Sequence, residues 1–207
     1  MILNELKKLR IIPVVKIDDL SDALPLADAL IKGGIPAAEI TFRTECAADV
    51  ISLLRSERPD MIVGAGTVLN VNQAKKALDA GALFIVSPGL SVEVAQFCIE
   101  NSILYIPGCV TPTEIMKALD LGITTVKFFP AETFGGLKAI KALAAAFTNV
   151  NFMPTGGVDD KNLYDYLAYD KVVCCGGSFM VKGEYIKNKN FDKIMSLTSL
   201  ARVIATK

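Results

Sequence analysis

The feature that most restricts the fold of this sequence is a regular alternation of short apolar runs with stretches of helical periodicity. Strand-like segments occur at IIPVVKI (11–17), AAEITFR (37–43), MIVGAGT (61–67), ALFIVSP (82–88), ILYIPG (103–108), TTVKFFP (124–130), VNFMPTG (150–156) and KVVCCGG (171–177). Between them lie segments such as DALPLADALIKG, CAADVISLLRSE, NQAKKALDAG, VEVAQFCIEN and TEIMKALDLG, whose apolar residues recur at helical spacing and which end in Gly or Asn, as helices often do. Near-continuous apolar strands separated by helices imply parallel pairing, with the helices covering the outer face. Eight such units in 207 residues predict an α/β fold, a single (β/α)8 TIM barrel at the short end of its usual length, occupying residues 1–207 as one domain. The competing architecture is an open doubly wound sheet. It is disfavoured because no GxGxxG follows the first strand.

Composition narrows the partners. Lys and Arg total 22, as do Asp and Glu, so the chain has no electrostatic footprint for nucleic acid or for an anionic membrane. The start, MILNELKKLR, reads as an amphipathic helix rather than a secretory signal, and no apolar run approaches membrane-spanning length. Five cysteines without a CxxC pair fit reduced thiols packed as small hydrophobes, which points to a cytoplasmic protein. Histidine is absent. Any acid–base or covalent chemistry must therefore run on Lys, Glu, Asp, Tyr, Cys or a metal held by carboxylates.

Within the strands, one residue is out of place. Lys127 sits in the middle of the apolar run TTVKFFP, where an ammonium is poorly solvated unless it is paired or deprotonated. In AAEITFR, strand alternation puts Glu39, Thr41 and Arg43 on one face and Ala38, Ile40 and Phe42 on the other. The polar set is expected to face the barrel interior, with Arg43 at the upper rim, so Lys127 and Glu39 share that interior. The pair reads equally as a structural ion pair or as chemistry. An amine that releases its proton is a nucleophile toward carbonyl carbon, a nearby glutamate can shuttle protons, and an arginine can grip a carboxylate through two parallel hydrogen bonds.

The loops after the seventh and eighth strands carry PTGGV (154–158) and CGGSF (175–179). Paired glycines let backbone N–H groups approach an anion, and these two loops hold phosphate in many barrels. GAGT (64–67), SPG (87–89) and IPG (106–108) place small or rigid residues at other strand ends, read either as turns or as room for a ligand, with Thr67 offering a hydroxyl. Taken together, these groups describe a site for a phosphorylated keto acid.

The segments EITFRTECA, VGAGTVLN, SPGL, VKFFPAE, PTGGV and GGS occur in this order along nearly the whole chain. Their combination resembles the 2-keto-3-deoxy-6-phosphogluconate aldolases, which are also described as bifunctional with 4-hydroxy-2-oxoglutarate aldolase. The resemblance implies a class I, metal- and cofactor-independent aldolase on a TIM barrel, assembled as a homotrimer. It implies Lys127 as the Schiff-base lysine and Glu39 as the proton-transfer residue. It also implies Arg43 and Thr67 on the pyruvyl carboxylate, Pro88 and Phe129 lining that pocket, and Gly156, Gly157, Gly176, Gly177 and Ser178 at the phosphate end. Rival readings are an aldolase for the epimeric or unphosphorylated keto acid, a metal-dependent aldolase, and a non-catalytic sugar-phosphate sensor in which Lys127 only binds charge.

Overall fold

A computed structural model describes residues 1–207. Eight parallel strands alternate with helices: α1 (Ile2–Leu9), β1 (Ile11–Val15), α2 (Ala23–Lys32), β2 (Ala37–Thr41), α3 (Ala47–Glu57), β3 (Ile62–Gly66), α4 (Val71–Asp79), β4 (Phe84–Val86) and α5 (Val92–Glu100). They continue as β5 (Leu104–Ile106), α6 (Pro112–Asp120), β6 (Thr125–Phe128), α7 (Gly136–Ala146), β7 (Asn151–Pro154), α8 (Leu163–Leu167), β8 (Cys175–Gly177), α9 (Gly183–Lys187) and α10 (Phe191–Ala205). All eight strands fall inside the apolar runs read from the sequence. The helices number ten rather than about eight, because α1 precedes the first strand and the five-residue α9 precedes α10.

Local chemistry explains where several helices start. The Thr111 hydroxyl accepts from Glu114 N–H while the Glu114 carboxylate accepts from Thr111 N–H, a reciprocal cap with Pro112 at the first helical position. Asn70 and Ser91 cap α4 and α5 through single side-chain acceptors. Each cap starts its helix within a few residues of a strand end.

The strands form a six-stranded parallel sheet, ordered β5-β4-β3-β2-β1-β8, and a separate parallel pair, β6-β7. Single parallel bridges flank the pair: Gly108–Lys127 on one side, Phe152–Val172 and Thr155–Gly176 on the other. The expected alternation and parallel pairing are present, but the continuous ladder spans six strands rather than eight. At the first seam the approaching segment contains Pro107, which has no N–H to donate, so pairing there reduces to Lys127 N–H donating to Pro107 O and Cys109 N–H donating to Lys127 O.

Fifty-eight buried apolar residues form one contiguous cluster. Register places Glu39 beside Gly64 and Thr41 beside Gly66, so the polar residues of β2 lie on the same face as the glycines of β3. All five residues of β2 are buried, including Glu39. No helix is long and apolar enough to cross a membrane.

Candidate active site

Glu39 and Lys127 come from β2 and β6, 88 residues apart in sequence, and meet inside the fold, with Lys127 Nζ donating to Glu39 Oε1 at 3.3 Å. They are 0% and 4% exposed respectively, which makes this the one ion pair in the protein with both partners buried. Removing two charges from water is costly, so such a pair is weak evidence of added stability and stronger evidence of a maintained function. Glu39 Oε2 is buried and makes no hydrogen bond within the protein, which leaves the carboxylate with an unused acceptor.

The surroundings make room for this carboxylate. A Cβ added at Gly66 would stand 2.1 Å from Glu39 Oε1, so any larger residue there would displace the acid. The sequence signal GAGT, read as room for a ligand, is in part room for Glu39. IPG serves another purpose as well: a Cβ at Gly108 would lie 2.0 Å from Pro88 O, so the loops after β4 and β5 abut closely.

The rim residues extend the polar row. The Thr41 hydroxyl donates to Val15 O at 2.9 Å and accepts from Arg43 Nε at 3.2 Å, tying an exposed guanidinium back to β1 and β2. Thr67, immediately after β3, holds φ 57, a left-handed backbone that a β-branched residue adopts at a cost of roughly 1–3 kcal/mol. Pro88 is half-buried, and Phe129 is 36% exposed, its ring centroid 5.0 Å from Lys127 Nζ, within cation–π range.

The two glycine pairs separate. Gly156 and Gly157 lie in the loop after β7 with φ 93 and φ 80, and neither they nor Val158 donate a backbone N–H to any group of the chain. Consecutive free N–H groups in such a turn form a concavity suited to an anion. Gly176 and Gly177 instead belong to β8, paired with Ile12 and Pro13, so the loop expected to carry them begins only at the exposed Ser178. The reason is packing: a Cβ at Gly176 would meet Thr155 Oγ1 at 2.4 Å.

Nowhere do three or more Cys, Asp or Glu side chains cluster as metal ligands. All five thiols are free; burial pushes Cys98, Cys109 and Cys174 up to about 12 and also raises Cys175 well above the ordinary thiol range. These are packing residues rather than nucleophiles.

The family model for KDPG and KHG aldolase matches residues 2–197. The chain belongs to that family. It is 47% identical over 193 residues to the 2-dehydro-3-deoxy-phosphogluconate aldolase of Haemophilus influenzae, covering 93% of this chain and 91% of that one. It is 44% identical over 192 residues to the KHG/KDPG aldolase of Escherichia coli K12, covering 93% and 89%. Among solved structures, the KDPG aldolase of Legionella pneumophila, with pyruvate captured at low pH as a covalent carbinolamine intermediate, superposes with TM-score 0.93 at 40% identity over 96% of this chain and 97% of that one. As a KDPG and KHG aldolase family member the chain is an enzyme, a carbon–carbon lyase. Residue reasoning missed Glu132 and Tyr166, which pair beside the glycine loop; the only signal was a carboxylate following an apolar strand.

Proposed function

We propose that the chain is a Schiff-base aldolase that cleaves 2-keto-3-deoxy-6-phosphogluconate to pyruvate and glyceraldehyde 3-phosphate, and also splits 4-hydroxy-2-oxoglutarate to pyruvate and glyoxylate. The observation that carries this reading is the Lys127 amine 3.3 Å from the Glu39 carboxylate, with both side chains buried. The likeness to a relative captured with pyruvate as a carbinolamine supports the same chemistry here.

In this mechanism Lys127 Nζ, having passed a proton to its neighbour, adds to the C2 ketone and forms a carbinolamine. Glu39 returns a proton to the departing hydroxyl, water leaves, and a protonated imine remains. That cation draws electrons. Glu39 then takes the C4 hydroxyl proton, the C3–C4 bond breaks, its electron pair flows into an enamine, and the aldehyde departs. Protonation at C3 and hydrolysis of the imine release pyruvate and restore the amine. The free Oε2 of Glu39 is suited to these transfers, since the other oxygen is occupied by Lys127.

Arg43 and Thr67 hold the pyruvyl carboxylate in this reading, with Pro88 and Phe129 as the pocket walls. Gly156, Gly157, Gly176, Gly177 and Ser178 form the phosphate end, the first pair through its free N–H groups. The six-stranded sheet and the β6-β7 pair close into one eight-stranded barrel, a reading supported by the bridges on both sides of the pair. The homotrimer and the cytoplasmic setting belong to the same proposal.

Borohydride reduction in the presence of pyruvate tests the central step. The expected result is a stable adduct that peptide mass mapping places on Lys127. An adduct elsewhere, or none with full activity retained, overturns the reading.

A further inference from the structure

The turn after β6 carries a carboxylate that the aldol chemistry leaves unused. Glu132 Oε1 accepts a hydrogen bond from the hydroxyl of Tyr166 on α8, a side chain only 2% exposed. Burial, reinforced by the adjacent carboxylate, raises the phenol above its ordinary range, so the hydroxyl keeps its proton and remains a donor.

Glu132 also lies against the glycine loop. A Cβ added at Gly157 would stand 2.4 Å from Glu132 Cγ, so the stem of the glutamate packs flat on that residue. The backbone adds two ties, Ala131 N–H to Thr155 O at 2.8 Å and Glu132 N–H to Gly156 O at 3.1 Å. Asn162 Nδ2 donates to Gly157 O at 2.9 Å. Three successive loop carbonyls are therefore engaged from within the protein, while the N–H groups of Gly156, Gly157 and Val158 are left as donors. A carboxylate on a stem touching Gly157 is a rival anion for those donors and repels a phosphate unless it is held by another partner.

We infer that the Tyr166–Glu132 hydrogen bond is a positioning device: it seats the Glu132 stem beneath Gly157, holds the carboxylate on the tyrosine, and thereby sets the preference for phosphorylated over unphosphorylated 2-keto acids. This rests on the phosphate end proposed above.

The test measures kcat and KM for 2-keto-3-deoxy-6-phosphogluconate and for 4-hydroxy-2-oxoglutarate in the wild type, Tyr166→Phe and Glu132→Gln. Inhibition by inorganic phosphate and borohydride trapping with pyruvate are followed in parallel. Tyr166→Phe is expected to raise KM for the phosphorylated substrate about three- to tenfold and to weaken phosphate inhibition by a similar factor, the range for one lost hydrogen bond. Its kcat, its KM for the unphosphorylated substrate and its pyruvate trapping stay at wild-type values. Glu132→Gln, which still accepts from Tyr166, keeps the wild-type KM. If Tyr166→Phe does not fold, Glu132→Asp carries the same expectation, because it keeps the charge but draws the carboxylate back from the Tyr166 hydroxyl by one methylene. Equal changes for both substrates, or none for the phosphorylated one, overturn the inference while leaving the aldolase reading intact. Absence of phosphate inhibition in the wild type overturns the phosphate end and this inference together. Loss of the pyruvate adduct in the wild type overturns the aldolase mechanism itself.

Discussion

The two ends of the proposed site are built from different materials. The covalent end is made of side chains, Lys127 and Glu39, held dry by the strands around them. The phosphate end is made of backbone, the free N–H groups around Gly156 and Gly157, held in shape by left-handed glycines and by contacts from Glu132 and Asn162. A side-chain site depends on which residue is present. A backbone site depends on which residues are absent, since its donors are common to nearly every amino acid and only conformation makes them useful.

The strongest way to break this contrast is at the covalent end. Lys127→Met should abolish both cleavage and the borohydride-trapped adduct with every substrate, phosphorylated or not; substrate-dependent survival of activity would show that the ends are not separate. It also strands a buried carboxylate, at a cost of about 3–5 kcal/mol. Denaturant titration should therefore find Lys127→Met/Glu39→Gln more stable than Lys127→Met alone.

Glu39→Gln by itself should lower kcat by roughly 100-fold or more on both substrates, with KM little changed, because it removes a proton shuttle and keeps the shape. Steady-state kinetics would expose a KM effect confined to the phosphorylated substrate, which would place Glu39 at the wrong end.

The glycines sharpen the comparison. Gly157→Ala forces a side chain to φ 80 and onto Glu132, so it should cost about 1–3 kcal/mol and raise KM for the phosphorylated substrate alone. Gly176→Ala should also cost about 1–3 kcal/mol, by overpacking against Thr155. The two costs differ in origin. In a Thr155→Ala background the Gly176→Ala penalty should largely vanish, whereas that of Gly157→Ala should persist, as a double-mutant cycle of unfolding free energies would report.

Burial at the covalent end has its own signature in pH. Cys174 is fully buried, and its thiol is pushed from 9.0 to about 12 by burial first and by the charge of Glu39 second. Above pH 9 the unfolded chain releases this proton while the folded chain keeps it, so stability falls as pH rises toward 12, by about 1.4 kcal/mol per pH unit for this thiol. Urea unfolding at a series of pH values should show a slope to which each strongly buried thiol contributes, and Cys174→Ala should reduce it by about 1.4 kcal/mol per pH unit. An unchanged slope would mean that water reaches the interior.

Some of this organisation was open to reading in one dimension. Strand alternation alone put Glu39, Thr41 and Arg43 on one face, and the oddity of Lys127 in an apolar run marked it as special. The Gly-Gly pairs looked alike as dipeptides, yet one is a left-handed loop and the other a segment of extended strand. A dipeptide records the absence of side chains without recording whether conformation or a close neighbour required it. Gly66 was equally opaque, because its reason is the Glu39 carboxylate of the adjacent strand.

From the residues themselves came the alternating architecture, the chemistry available without histidine and the family motifs, since periodicity and residue type are local properties. Tertiary structure alone decided that the Lys127 amine sits 3.3 Å from Glu39 across 88 residues of chain, and that Tyr166 on α8 reaches a glutamate after β6. Those distances follow from the register and closure of many strands at once, and no short stretch of sequence encodes them.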